Sequence, residues 1–210
     1  MLKLKQLLPS KSERMLITGT TGCGKSTLAD HLIDASRYPA VLIIDPKCEF
    51  GGREGKDGYR MIRRIRDLGR LRGSDKRIQF RPDARHNDVA AFDELYWWAY
   101  ERGDIMVYTD ETFATMKRSW ATDGQRACLV QGRSKNVGMI LSSQRPKGID
   151  LRVLTEAQVF ASFSLQERDD RKRMSGYMGE EVMQSLPKYH FWFWRAGMEK
   201  PIAATLKLGG

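Results

Sequence analysis

An α/β fold with a mainly parallel central sheet and a C-terminal antiparallel hairpin is predicted on three observations. Short β-branched and apolar runs alternate with longer helical patterns along most of the chain. A glycine-rich stretch, GTTGCGKST at 19–27, joins the first such run to the first helical pattern. The chain then finishes on two strand-like runs, HFWFWRA (190–196) and PIAATL (201–206), separated by the turn-like GMEK.

In order, the parallel strands are expected at MLITG (15–19), VLIID (41–45), RIQF (77–80), DIMVYTD (104–110), VGMILSSQ (137–144) and VFASFSL (159–165). Near-continuous apolar character in runs this short suits strands covered on both faces. Asp88 can cap a helix that carries Phe92, Leu95, Tyr96 and Ala99 at helical spacing, with Gly103 stopping it. Thr122 or Asp123 can open another, running through Ala127 and Val130. YWWAY (96–100) reads as core and interface packing, and aromatics on both faces of HFWFWRA imply burial on both sides or a subunit contact. No linker is visible, so residues 1–210 read as one domain.

The 41% hydrophobic and 30% charged residues are ordinary for a globular chain, but a net charge of +10 is not. It points to a polyanionic partner, nucleic acid first, with simple solubility as the bland alternative. Three scattered cysteines and three scattered histidines give no zinc spacing, and a reducing, intracellular compartment fits them. No apolar run reaches the length of a membrane span, and MLKLKQLLPSKSER lacks the apolar core of a signal peptide. The expected location is the cytoplasm.

Gly19, Gly24, Lys25 and Ser26 satisfy G-x-x-x-x-G-K-[ST], which average composition produces by chance in roughly one chain in a hundred of this length. The match follows a strand and opens a helix, as the chemistry requires. Its glycines let successive backbone N–H groups turn toward phosphate oxygens, and the helix start adds its positive dipole end. Thr21, Gly22, Cys23, Gly24, Lys25, Ser26 and Thr27 are therefore expected around ATP. Lys25 would reach the β- and γ-phosphates, the Ser26 hydroxyl would ligate Mg²⁺, and Cys23 would contribute its backbone rather than its thiol.

DIMVYTDE ends in Asp110 and Glu111, two carboxylates where a second strand would emerge beside the loop. Asp110 suits the Mg²⁺ shell and Glu111 suits polarising a water; the alternative is that both merely cap the next segment. Gln144, ending VGMILSSQ, could sense the γ-phosphate. Arg133 lies at the preceding helix-to-strand junction, where it is either a surface arginine or a cation reaching a neighbouring subunit's triphosphate.

With these residues in hand the chain resembles the FtsK/HerA superfamily of ring-forming DNA-pumping ATPases. More narrowly, it is similar to the small genome-packaging ATPases of internal-membrane and related icosahedral DNA viruses. GTTGCGKST resembles that family's Walker A motif, VLIIDPKCEF its Asp-Pro-Lys segment, DIMVYTDE its Walker B motif, and GRSKNVGMILSSQRP its Gly-Arg, strand, Ser-Gln-Arg-Pro block. The resemblance implies an ASCE-type (RecA-like) P-loop NTPase core, ATP hydrolysis, and a homo-oligomeric ring, usually a hexamer, that threads double-stranded DNA. It implies that Glu111 is the catalytic glutamate, Gln144 the sensor and Arg133 an arginine finger supplied in trans. About eighteen residues precede the loop, so a minimal motor docked on capsid or membrane vertex proteins is expected, with incorporation at a virion vertex as one form of that docking. Tyr108 and Thr109 are more polar than the usual Walker B run.

For DNA contact, the segment 59–81 holds nine Lys/Arg against two Asp. Read as a helix, it sets Met61, Ile62, Ile65 and Leu68 on one side and Arg60, Arg63, Arg64 and Arg70 on another. That face could neutralise phosphates, or could be a solvated or intersubunit face. The loop before it, with Arg53 and Lys56, is a rival, and ERDDRKR (167–173) reads as a salt-bridged helix face. Within the resemblance, packaging of a viral genome leads, with a cellular, plasmid or filamentous-phage relative as runner-up. A nucleotide-regulated DNA-binding subunit is the non-motor alternative, which would not need both Glu111 and Gln144.

Overall fold

The computed structural model of the chain describes residues 4–11, 13–53, 58–72 and 74–206. Nine strands form one sheet: β1 (Arg14–Thr18), β2 (Ala40–Ile44), β3 (Tyr59–Ile62), β4 (Arg77–Phe80), β5 (Ile105–Thr109), β6 (Val137–Ser143), β7 (Val159–Phe163), β8 (His190–Arg195) and β9 (Ile202–Thr205). Their spatial order is β3-β4-β2-β5-β6-β1-β7-β8-β9. β1 to β7 run parallel, and β8 and β9 add an antiparallel hairpin beside β7. All eight runs expected from sequence form strands, within two residues of their expected ends.

Helices cover both faces, which is why the central strands are apolar throughout. Along β2, Val41 and Ile43 join the core under α2 (Lys25–Ala35), while Leu42 and Ile44 join the core under α3 (Val89–Arg102). This is the two-residue period of a pleated strand. α2 buries Leu28, Ala29, Leu32 and Ile33 on one stripe, each leucine contributing about 2 kcal/mol by area. Asp88 caps α3 as expected, its side chain accepting from the Ala91 N–H at 2.9 Å, a contact worth about 1 kcal/mol. Gly103 ends that helix at a φ of 64°, and a Cβ there would lie 2.9 Å from the Lys135 carbonyl. α4 (Asp123–Val130) is capped by the Thr122 side chain. The remaining helices are α1 (Leu4–Leu7), α5 (Leu151–Thr155) and α6 (Arg168–Met178). Among the described residues, no helix is long and apolar enough to cross a membrane.

The arginine-rich segment is not the helix expected from sequence. Tyr59–Ile62 is the edge strand β3, Ile65–Arg70 is a 3₁₀ turn, and β4 follows. The partly buried Ile65, Leu68 and Leu71 pack on the core, and a repeat of three matches the three residues per turn of a 3₁₀ helix better than 3.6. Tyr59 and Ile62 face inward while Arg60 faces out, as an edge strand allows. Within HFWFWRA, Phe191 and Phe193 are buried and Trp192 and Trp194 are half-buried, so burial is unequal on the two faces.

Candidate nucleotide site

The parallel strands all end on one edge of the sheet, and the loop 19–27 leaves β1 there, at the ends of strands where α/β folds bind ligands. Gly24 precedes α2 at a φ of 115°. A Cβ on it would lie 3.1 Å from Leu206 and 3.2 Å from Tyr189, side chains that the C-terminal hairpin brings over the loop. Only glycine fits such a conformation at that approach. Lys25 is buried and donates to the Thr20 carbonyl at 2.9 Å, which curls the loop back on itself. Ser26 and Thr27 are half-buried at the helix start, and Thr21 and Gly22 are exposed at the loop tip. Cys23 is buried, its thiol pushed up from its ordinary pKa chiefly by that burial. A cavity of about 340 Å³ opens beside the loop, between Thr20–Cys23 and Leu186–Lys188 with His190.

One strand, β6, stands between β1 and β5, so the acids emerge one strand away from the loop rather than directly beside it. Asp110 is 6% exposed. Its Oδ1 accepts from the Tyr108 hydroxyl at 2.7 Å and the Ser142 hydroxyl at 3.0 Å, while its Oδ2 has no hydrogen-bond partner among the described residues. A carboxylate oxygen left without a protein partner is the kind of hard-oxygen donor that Mg²⁺ takes. Tyr108 therefore holds the acid, and burial raises its own pKa well above the ordinary phenol value. Thr109 bonds the Tyr96 hydroxyl at 2.8 Å. Gln125 of α4 donates to that same hydroxyl and to Thr112, each at 3.0 Å. The two polar departures in this strand are thus anchor points of buried networks.

Glu111, 6% exposed, has a φ of 56°, a left-handed conformation that costs a non-glycine residue of order 1 kcal/mol or more. Its N–H donates to Ser142 at 3.1 Å. Its carboxylate accepts from the Gln144 N–H at 3.1 Å and the Ser143 hydroxyl at 3.2 Å, with the Lys47 ammonium at 3.7 Å. The Gln144 backbone thus touches Glu111, and its side-chain amide has no hydrogen-bond partner among the described residues. Lys47, Ser142, Ser143 and Tyr108 went unassigned on sequence. Lys47 had a signal in the Asp-Pro-Lys motif, but its partner lies far away in sequence. Asp45 of that motif is fully buried, paired with Arg81 at 3.1 Å, and burial pushes its carboxyl pKa up, with Asp110 adding to the rise. Arg145, next to Gln144, pairs at 2.9 Å with buried Asp170 of α6. The acids of ERDDRKR therefore reach across to the Gln-Arg-Pro turn, Asp169 pairing with Lys147.

Arg133 lies elsewhere. It is exposed in the turn Gly132–Lys135 that precedes β6. β6 pairs with β1 from Arg14↔Met139 to Thr18↔Ser143, so the turn sits at the opposite edge, roughly 17 Å or more from its own loop at 3.3 Å per residue. Beneath it Arg14 is fully buried and donates to the Cys128 carbonyl at 2.8 Å and the Leu129 carbonyl at 3.0 Å. Burial first, then Arg133 nearby, lowers its pKa to about 10.

Most of the sequence-nominated DNA residues are committed to acids. Arg53 is 8% exposed and pairs with Asp30 and Asp34 of α2, so it is a tie between loop and helix and not a free contact. Arg60 pairs with Asp75, Arg63 and Arg64 with Asp83, and Arg70 with Asp67. Lys56 lies outside the described residues.

Sheet order, phosphate loop and paired acids define a P-loop NTPase fold with an additional strand between the loop strand and the acid strand. Known proteins narrow this. The chain is 28% identical over 210 residues to the DNA packaging ATPase P9 of Enterobacteria phage PRD1, covering 94% of this chain and 88% of that protein. The genome packaging NTPase B204 from Sulfolobus turreted icosahedral virus 2, solved with AMPPCP, matches at a TM-score of 0.77 and 19% identity over 95% of this chain and 100% of that one. The pCW3 conjugation coupling protein TcpA matches at 0.58 and 13% identity, over 92% of this chain and 60% of its own. No protein-family model matches. The similarity to packaging ATPases read from the motifs is borne out by these relatives.

Proposed function

We propose that the chain is an ATP-hydrolysing motor that drives double-stranded DNA into a preformed viral capsid, working as a ring of copies, most simply a hexamer. The single observation that carries this reading is Glu111, strained and ringed by Gln144, Ser143 and Lys47 one strand from a phosphate loop. The likeness to P9 gives that chemistry its task.

The loop's N–H groups and Lys25 bind the triphosphate, Lys25 exchanging the Thr20 carbonyl for β- and γ-oxygens. Ser26 and Asp110 would hold Mg²⁺, which would supply charge neutralisation at the triphosphate. Glu111 takes a proton from water as the water oxygen bonds to the γ-phosphorus and the bond to the β,γ-bridging oxygen breaks. Gln144 orients the water. Arg133 is too far from its own loop, so it serves a neighbour's triphosphate, and each active site needs two subunits. Residues 1–210 act as one unit in the host cytoplasm, docking on capsid or membrane vertex proteins.

Steady-state ATPase rates with and without duplex DNA test this. Wild type should be DNA-stimulated, and Glu111→Gln should lose about 100-fold or more in rate while still binding ATP. Unstimulated wild type, or a mutant as fast as wild type, overturns the reading.

A further inference from the structure

Five residues after Thr112 the chain makes a small hairpin. Lys117 and Trp120 exchange both backbone hydrogen bonds at 3.0 Å. Arg118 and Ser119 between them have φ of 50° and 68°, the two positive values of a type I′ turn, which follows the right-handed strand twist. Both ends of the hairpin are fastened. Met116 is buried in the core before it, and the Ala121 N–H donates to Asp150 at 2.8 Å after it. The tip is therefore rigid and projects from the same sheet edge as the phosphate loop, six residues beyond Glu111.

What it presents is unusual for this molecule. Trp120 is 63% exposed, the most exposed large hydrophobic side chain among the described residues. Lys117 and Arg118 beside it are exposed and make no ion pair or hydrogen bond through their side chains to any described residue. The arginines of 60–70 show the contrast, since Arg60, Arg63, Arg64 and Arg70 all face an acid of their own. Behind the hairpin, a depression of about 890 Å³ includes Val89 and Asp93 of α3 and Asp123. Lys117, Arg118 and Trp120 line it as well, and all three stay exposed.

We infer that the Lys117–Trp120 hairpin is a nucleic-acid contact: Lys117 and Arg118 neutralise backbone phosphates while the Trp120 ring lies against sugar and base edges. Two unpaired cations flanking an exposed aromatic fit a sugar–phosphate backbone, and they read no base sequence, because phosphate contacts carry none. The short, fastened path to Glu111 ties this contact to the hydrolytic centre. This rests on the DNA-motor reading.

The test compares full-length Lys117→Ala/Arg118→Ala and Trp120→Ala with Arg63→Ala/Arg64→Ala as the ion-paired control. Duplex affinity is measured by anisotropy of a labelled 30-base-pair DNA across salt, alongside basal and DNA-stimulated ATPase and oligomer mass. The hairpin variants should keep basal rate and mass, lose at least fivefold in duplex affinity and lose most of the stimulation. The double variant should also flatten the salt slope by about two, while the control behaves as wild type. Wild-type affinity and stimulation in the hairpin variants overturns the inference and leaves the motor reading standing. Loss of oligomer mass and basal rate together overturns it in favour of a subunit contact. Wild type that neither binds duplex nor responds to it overturns both.

Discussion

At the edge where the parallel strands end, Lys25, Asp110 and Glu111 are held by a backbone carbonyl, hydroxyls and a backbone amide, while Asp110 Oδ2 and the Gln144 side-chain amide stay open among the described residues. At the edge where the strands begin, Arg133 stands exposed on a short turn, its guanidinium without a hydrogen-bond partner among the described residues. The first edge has the two acids, the loop and Gln144 but, among the residues touching Glu111, only the half-exposed Lys47 as a cation. The second has a cation without phosphate to serve. If copies line up around a ring, as proposed above, one edge would complete the other and supply the charge that a single chain's site lacks.

The sharpest way to break that comparison is Arg133→Ala. If the second edge serves a neighbour, the assembled protein should lose about 1,000-fold in kcat with ATP binding kept. Mixing Arg133→Ala with Lys25→Ala chains should then restore measurable turnover at shared interfaces. No restoration at any ratio would separate the two edges functionally. A smaller effect is expected from Arg14→Met, which leaves the Cys128 and Leu129 carbonyls buried without their donor. A loss of roughly 2–3 kcal/mol is expected in denaturant unfolding, and a midpoint equal to wild type would show that the turn bearing Arg133 stands without it. Smallest should be Lys47→Met. Its pair with Glu111 is partly exposed, so basal ATPase should fall by no more than about fivefold, the ~1 kcal/mol ceiling of such pairs. A loss on the scale of Glu111→Gln would move Lys47 into the hydrolytic centre.

The strands, the caps at Asp88 and Thr122, and the residues of the loop were legible because each signal is local: a run, a capping side chain, a glycine at a fixed offset. The edge strand Tyr59–Ile62 was not. Its four residues sit in an arginine-rich stretch whose apolar spacing imitates a helix until the repeat of three is noticed. Charge was misleading for the same reason. Arg53 and Arg60 look free in sequence, and only folding brings Asp30, Asp34 and Asp75 to them. The network around the acids was hidden because Tyr108, Ser142 and Lys47 lie on three different segments. Motif spacing located Asp110 and Glu111 but could not reveal what grips them.

The turn Arg118–Ser119 has one more consequence. Asparagine followed by glycine is what a type I′ turn prefers, so Arg118→Asn with Ser119→Gly would relax two left-handed residues and raise the melting temperature. The same change would delete one of the two exposed cations of the tip. Selection for heat resistance alone would thus drift this loop toward a more comfortable sequence and a weaker grip, and the persistence of arginine there in an evolving population would report use rather than stability.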